Sequence, residues 1–459
     1  MLSIRLGELA RVINGRLIRG SPNQLIQKAT YLTSDYLSHK IFFFPTRYLS
    51  SKFRLGELGY KKSLGVVTTP AYFRHIPTHH PLILVDHAEE ALFRLARYER
   101  AKLRTLFIGI TGSSGKTTTK DMLASILRQR YYTYRSIASY NVASVIPTHI
   151  FKLTPRHQVA VIEMGLGKLG GIAMQCSLAK PKIGVVTHIG EAHCGQIGNS
   201  IENVIKGKQE IIDGLMPGGF LVLNADDRRS RRLSTQQYRG KVVTFGIKEA
   251  ATYTAKHVQY TKKGMRFYVH GYPFSLSVFG LHNVYNALAA IAVAKSLQVS
   301  NAQIQQGLYQ YQAPPMRLQK MVGRGGSLIL NDAYNANPTS MIEGLKVLKH
   351  LSTKRNSIAV LGSMKGLGSF TRQAYARVGQ SIARHLHPDQ LITIGKPGLV
   401  GYIAEIAIQN GYPKKQVHTF RNQNKAIRYL RHTIDNKSVL YFKASRADAF
   451  EYMVRTLKR

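Results

Sequence analysis

The segment Gly109-Ile-Thr-Gly-Ser-Ser-Gly-Lys-Thr-Thr-Thr119 joins an apolar run, Leu106-Phe-Ile-Gly-Ile110, to a helical pattern, Lys120-Asp-Met-Leu-Ala-Ser-Ile-Leu127. A strand, a glycine-rich turn and a helix N-terminus aim backbone N–H groups at phosphate oxygens. Gly112, Ser113, Ser114, Gly115 and Thr118 supply that cradle, Lys116 can reach β/γ-phosphates, and the Thr117 hydroxyl can ligate Mg²⁺. The strict spacing G-x-x-x-x-G-K-[ST] is not met, since Ile110 stands at the first glycine position. Thr111 to Thr117 nevertheless keep every phosphate-facing part of a P-loop. Glu163 closes a second apolar run, Gln158-Val-Ala-Val-Ile162, which puts its carboxylate at a strand end near those phosphates, where Mg²⁺ would sit. An ordinary strand-end acid is the competing reading. His188 and His193 follow a third run, and as lone histidines they are more often packed or solvated than ligands.

The elements that must hold these residues are those of an α/β protein. Val159–Ile162, Ile183–Val186 and Phe220–Leu223 alternate with helical patterns, as in parallel sheets with crossover helices. The paired prolines of Gln312-Ala-Pro-Pro-Met-Arg317 read as a hinge. Beyond them Ser327–Leu330, Ser357–Leu361, Gln390–Ile394 and Ser438–Phe442 form a second, smaller α/β pattern, and the first hundred residues form a separate unit. The expected division is 1–103, 104–313 and 314–459. No apolar run is long enough to span a membrane and no apolar leader opens the chain, so a cytoplasmic location is expected. Cys176 and Cys194 cannot build a disulfide framework or a zinc finger.

The charge, 65 Lys and Arg against 23 Asp and Glu for a net +42, raises the prospect of a polyanionic partner. It is spread through all three regions without a basic block or an aromatic-basic ladder, which disfavours a nucleic-acid-binding ATPase. A surface poor in carboxylates gives the surviving strand-end acids more weight.

Thr111–Thr118, Glu163-Met-Gly165, Gly190-Glu-Ala-His193, Gly207-Lys-Gln-Glu210, Leu223-Asn-Ala-Asp-Asp227 and Gly280-Leu-His-Asn-Val-Tyr-Asn-Ala287 occur in one order that resembles the Mur ligase family. These are ATP-dependent enzymes that add amino acids to the peptidoglycan precursor. Asn331-Asp-Ala-Tyr-Asn-Ala-Asn-Pro-Thr-Ser-Met341, preceded by Met316-Arg317, is similar to the branch that adds D-alanyl-D-alanine to UDP-N-acetylmuramoyl-tripeptide. The resemblance covers roughly residues 105 to 345 well and the flanks weakly.

The resemblance implies an α/β architecture of three domains: an N-terminal domain for a UDP-sugar-type acceptor, a central P-loop parallel-sheet domain and a C-terminal Rossmann-like domain. It implies ATP and Mg²⁺, a carboxylate acceptor and an amine donor. Lys116, Lys208, His193 and Asp332 become the catalytic set, with Thr117 and Glu163 on one Mg²⁺ and His193 on a second. Lys208 stands where the family carries a carbamylated lysine, a carboxylate-like metal ligand; an ordinary amine is the alternative. Asn283 and Asn286 match the adenine-contacting segment, or else cap or pack their helix. Arg317 and Asp332 match the pair that closes the C-terminal domain onto ATP, and Tyr334, Asn335 and Asn337 would shape the facing wall.

Acceptor recognition departs from the family pattern. Leu32, Thr33 and Ser34 stand where an Asp-Ser-Arg stretch is usual, and Ser50-Ser-Lys-Phe53 replaces a second charged run. Paired asparagines are reduced to one near Asn141-Val142, and Ser363 and Gly366 replace two acids. Lys443-Ala-Ser-Arg446 keeps the Lys and Ser-Arg of an amine-side motif. Two readings remain at this point: a divergent member of the D-alanyl-D-alanine-adding branch, or an amide ligase of the same kind acting on another anionic carboxylate.

Overall fold

A computed structural model describes residues 2–30, 40–44, 64–137, 141–192 and 194–459. Leu32 to Ser34, Ser50 to Phe53 and His193, which the sequence singled out, lie outside the described residues.

At the centre is a seven-stranded, wholly parallel sheet in the order Tyr253–Thr254, Lys241–Gly246, Phe220–Asn224, Ile183–Val186, Leu106–Thr111, Val159–Glu163, Thr133–Arg135. Its inner strands are continuous Val, Ile and Leu runs because helices cover both faces and leave neither side to water. The chain leaves Leu106–Thr111 for one side of the sheet and later returns to its other side. Such a topological switch point opens a crevice beyond the strand ends, and the glycine-rich turn follows that very strand.

Helices Lys116–Leu127, Leu281–Ser296 and Asn301–Gln310 pack one face of this sheet, joined by the antiparallel meander Lys256–Tyr260, Met265–Val269, Tyr272–Leu276. The other face shares a single apolar core with helices Gly171–Ala179 and Ile201–Asp213 and with the N-terminal helix Ala88–Ala101, through Leu92, Leu95 and Ala96. That N-terminal helix also backs a five-stranded sheet ordered Arg16–Arg19, Leu82–Leu84, Gly65–Thr68, Ile41–Phe43, Ala29–Thr30.

After the proline pair a six-stranded sheet runs Gln319–Val322, Leu328–Asn331, Ser438–Lys443, Asn356–Leu361, Gln390–Ile394, Val417–Phe420, parallel except for its first hairpin. Its two faces carry two further cores. The connection between the two large sheets bends through Met316 and Leu318, both non-glycine residues with positive φ, 60° and 50°. No helix among the described residues is long and apolar enough to cross a membrane.

Candidate active site

The glycine-rich turn is built by two glycines that no other residue could replace without displacement. Gly112 has φ 149°, and a Cβ there would lie 2.0 Å from Thr187 Oγ1. Gly115, at φ 83°, caps helix Lys116–Leu127, and its Cβ would lie 2.3 Å from Asn286 Oδ1. The turn is braced from the neighbouring strand end: Ser113 N donates to His188 O at 2.6 Å, Ser113 Oγ to Gly190 O at 3.0 Å and Thr187 Oγ1 to Ser114 O at 2.6 Å. The first-turn N–H groups of the helix, which lack helical acceptors, therefore stand at a fixed place beyond the sheet.

Lys116 folds back so that Nζ donates to Gly112 O at 2.7 Å. Burial lowers its pKa, Glu163 pulls it back up and Arg317 adds to the lowering. Thr117 Oγ1 donates to Glu163 Oε2 at 2.8 Å, and Asn141 Nδ2 to Glu163 Oε1 at 2.8 Å. Lys120, one helical turn beyond Lys116 and fully buried, sits 3.9 Å from Glu163 Oε2 and 3.5 Å from Asp121, which Arg135 also pairs. Thr117 and Glu163 thus offer hard oxygen donors side by side at the mouth of the cradle. That donor set suits Mg²⁺, which is usually held by one or two protein oxygens plus phosphate and water. Among the described residues no cluster of three His, Cys, Asp or Glu side chains makes a metal cage.

A cavity of about 540 Å³ brings together Ser113 to Thr118, Glu163, Asn283, Asn286, Arg317 and Asp332 from the expected set. Tyr334, Asn335 and Asn337 line it too, opposite the turn. Gly112 and Lys208 do not line it. Lys208 lies behind the turn, fully buried, with Nζ donating to Thr111 Oγ1 at 3.0 Å. Burial and the neighbouring Lys116 hold its pKa well below the ordinary lysine range. Asn283 and Asn286 spend their amides on the protein: Asn283 Nδ2 donates to Phe279 O at 2.7 Å, and Asn286 Nδ2 to Asn283 Oδ1 at 3.2 Å.

Across the cavity, Asp332 Oδ2 accepts from Lys443 Nζ at 2.6 Å and from Tyr441 OH at 3.2 Å, while Oδ1 accepts from Leu318 N at 3.3 Å. This carboxylate therefore ties the bent connection to the C-terminal sheet. Arg317 lies with its guanidinium 4.4 Å from the Tyr334 ring centre. Asn337 caps helix Pro338–Leu351 in a capping box with Ser340.

Several residues in and around the site have contacts to which the sequence assigned no role. Lys120 carried one signal, its place four residues after Lys116 on a helix that must face Glu163. Asp226 accepts from Ile247 N, Lys248 N, Glu249 N and Tyr285 OH, and these bonds outweigh burial to lower its pKa. Glu191 accepts from Arg229 at 2.9 Å and from Arg377 at 3.2 and 3.3 Å; burial opposes ionisation, but the two guanidiniums bring its carboxyl down to about 2. Nothing in the sequence links residues 191 and 377.

The Mur ligase middle domain model matches residues 110–294, and the Mur ligase glutamate ligase domain model matches residues 316–446. The UDP-N-acetylmuramoyl-tripeptide–D-alanyl-D-alanine ligase of Bacillus subtilis is 32% identical over 383 residues, covering 83% of this chain and 82% of that protein. The protein of the same name from Escherichia coli is 29% identical, with 100% of this chain and 99% of that protein covered. Among solved structures, MurF from Acinetobacter baumannii superposes with a TM-score of 0.87 at 25% identity, covering 99% of this chain and 98% of that one. MurF from Thermotoga maritima, solved in complex with ADP, shares the fold with a TM-score of 0.78 at 22% identity, over 94% of this chain and 97% of that one.

Proposed function

The chain belongs to the Mur ligase family, and we propose that it is the ATP-dependent ligase that joins D-alanyl-D-alanine to UDP-N-acetylmuramoyl-tripeptide in peptidoglycan precursor synthesis. The observation that carries the site assignment is the shared cavity, with the phosphate cradle on one wall and Asp332, Tyr334 and Asn337 on the other. A nucleotide held by the first wall would share the cavity with the second, so that a carboxylate and an amine could be brought to it there.

The acceptor carboxylate attacks the γ-phosphorus of ATP, the bond to the ADP oxygen breaks, and an acyl phosphate forms. The free amine of D-alanyl-D-alanine then attacks the acyl carbon, and inorganic phosphate leaves as the amide forms. Lys116 and the first-turn N–H groups hold the phosphate oxygens and stabilise charge on the transferring group. Thr117 and Glu163 are the residues that would hold Mg²⁺, which would supply positive charge to offset that of the phosphates. Lys208, fully buried behind the turn with its pKa held well below the ordinary lysine range, stands where the family carries a carbamylated lysine, and we take it for that position. Arg317, stacked on Tyr334 beside the bent connection, would contact the nucleotide when the C-terminal unit closes. His193 would provide the second metal contact, and Asp332 would set the geometry of the bend.

In this reading residues 1–103 bind the UDP-sugar acceptor, 104–313 bind ATP and 314–459 bring the amine, and the reaction takes place in the cytoplasm. Phosphate release from ATP and Mg²⁺, with UDP-N-acetylmuramoyl-tripeptide and D-alanyl-D-alanine as co-substrates and mass spectrometry for the amide, tests the assignment. The amide product is expected. A folded, ATP-binding protein that makes none from this pair would overturn the acceptor assignment and return attention to residues 31–63.

A further inference from the structure

Helix Thr371–Ser381 of the C-terminal sheet sends Arg377 across to the central one, where Nη1 and Nη2 donate to the two oxygens of Glu191 at 3.3 and 3.2 Å. The same carboxylate accepts from Arg229 at 2.9 Å, and Arg229 Nη1 also donates to Ile189 O at 3.3 Å. Backbones meet around this point. Gly195 N donates to Gly366 O at 3.3 Å, Ser369 N donates to Asn199 Oδ1 at 3.0 Å, and a Cβ on Gly368 would lie 2.7 Å from Gly195 Cα.

The far end of the same segment is the brace of the phosphate cradle. Ser113 donates to the carbonyls of both His188 and Gly190, immediately before Glu191. An unbroken series of contacts therefore runs from Arg377 through Glu191 to Gly190 and into the turn that holds the phosphates.

We propose that Arg377 is a positioning residue that couples docking of the C-terminal unit to the shape of the phosphate cradle, by gripping Glu191 and so fixing residues 188–191 against Ser113. The proposal rests on the ligase reading above. Two arginines on one carboxylate have different duties. Arg229 belongs to the same unit as Glu191 and holds it whether or not the units are docked. Arg377 reaches it only when they are, so its interaction belongs to one arrangement and biases the protein toward it. Arg377 is itself half-exposed while Glu191 is buried, so the contact forms at the rim of the seam between the units.

The test uses Arg377→Ala, Arg377→Lys, Glu191→Gln and the double variant Arg377→Ala/Glu191→Gln in the full chain. Amide formation is measured with kcat and the KM for ATP separated, together with the radius of gyration by X-ray scattering under a saturating non-hydrolysable ATP analogue. For Arg377→Ala we expect kcat to fall about tenfold or more, with KM for ATP changed less than about threefold, since a charged hydrogen-bonded contact is lost in one arrangement only. Arg377→Lys should recover part of the loss. The double variant should lose less than the product of the two single losses, because Arg377 acts through Glu191 while Glu191 also holds Arg229. The analogue-bound Arg377→Ala protein should be the more expanded. A kcat within about twofold of the parent, or losses that multiply in the double variant, would overturn the proposal. Should the parent itself make no amide, the ligase reading fails and scattering alone decides: equal radii for parent and Arg377→Ala then overturn the coupling.

Discussion

The two walls of the cavity each carry a buried carboxylate with a buried lysine beside it, and they use the pair in opposite ways. On the phosphate wall, Glu163 takes its two short hydrogen bonds from neutral groups, Thr117 and Asn141, while Lys120 stands off at 3.9 Å. On the facing wall, Asp332 is locked at 2.6 Å to Lys443 and further engaged by Tyr441 and the backbone of Leu318. A carboxylate held by a hydroxyl and an amide can exchange them for a cation at little cost. One neutralised by an adjacent ammonium is a strut. The same residue types at the same sort of strand end are thus left exchangeable on one side and locked into the architecture on the other.

Four substitutions probe this contrast. Glu163→Gln keeps the shape and removes the charge; turnover should fall by about three orders of magnitude, with a raised Mg²⁺ requirement, as expected when a metal's anionic ligand is lost. Thermal unfolding of the same variant should shift little, and a large drop in melting temperature would make Glu163 a strut as well. Asp332→Asn should do the reverse, costing about 3–5 kcal/mol of stability because Lys443 is left buried and unpaired. Denaturant unfolding measures this, and Asp332→Asn/Lys443→Met should regain most of the loss. Lys120→Met should cost less, about 1–3 kcal/mol, because Asp121 keeps Arg135 and Glu163 keeps its neutral donors.

Asp226→Asn is the smallest, about 1 kcal/mol, through weakened bonds to the 247–249 backbone. Its pH dependence has a definite sign. The folded-state pKa of Asp226 is held below the unfolded value, so its contribution is full above the ordinary aspartate range and fades as pH falls through the lower folded value. The gap in stability between parent and variant should therefore close on acidification.

The sequence made the phosphate wall legible because its function is written locally. Glycines, a lysine and a threonine within seven residues demand one backbone shape, and the apolar runs around them read directly as parallel strands. Ser327–Leu330, read as a strand, is displaced by a single residue to Leu328–Asn331, since register at a strand end depends on its partners. The facing wall was legible as a motif but not as a device. That Asp332 meets Lys443 across 111 positions follows from two strands lying side by side in the C-terminal sheet, which no local pattern contains. The asparagines at 283 and 286 show the converse. Their spacing places both at the cavity, yet their amides are committed to Phe279, to Thr119 and to each other. The antiparallel meander at 256–276 is harder to read locally, because its first strand, Lys256–Tyr260, has no fully buried residue and so offers no clear apolar run.

The apolar core that runs from helix Ala88–Ala101 into the central sheet has a mechanical meaning. Two sheets that share one interior cannot slide past each other without opening it to water, so the described parts of these two sheets are held together, and the bend at Met316 and Leu318 is where the C-terminal sheet can turn. Heated slowly, such a molecule should absorb heat in two cooperative events rather than three, the larger belonging to everything before the proline pair.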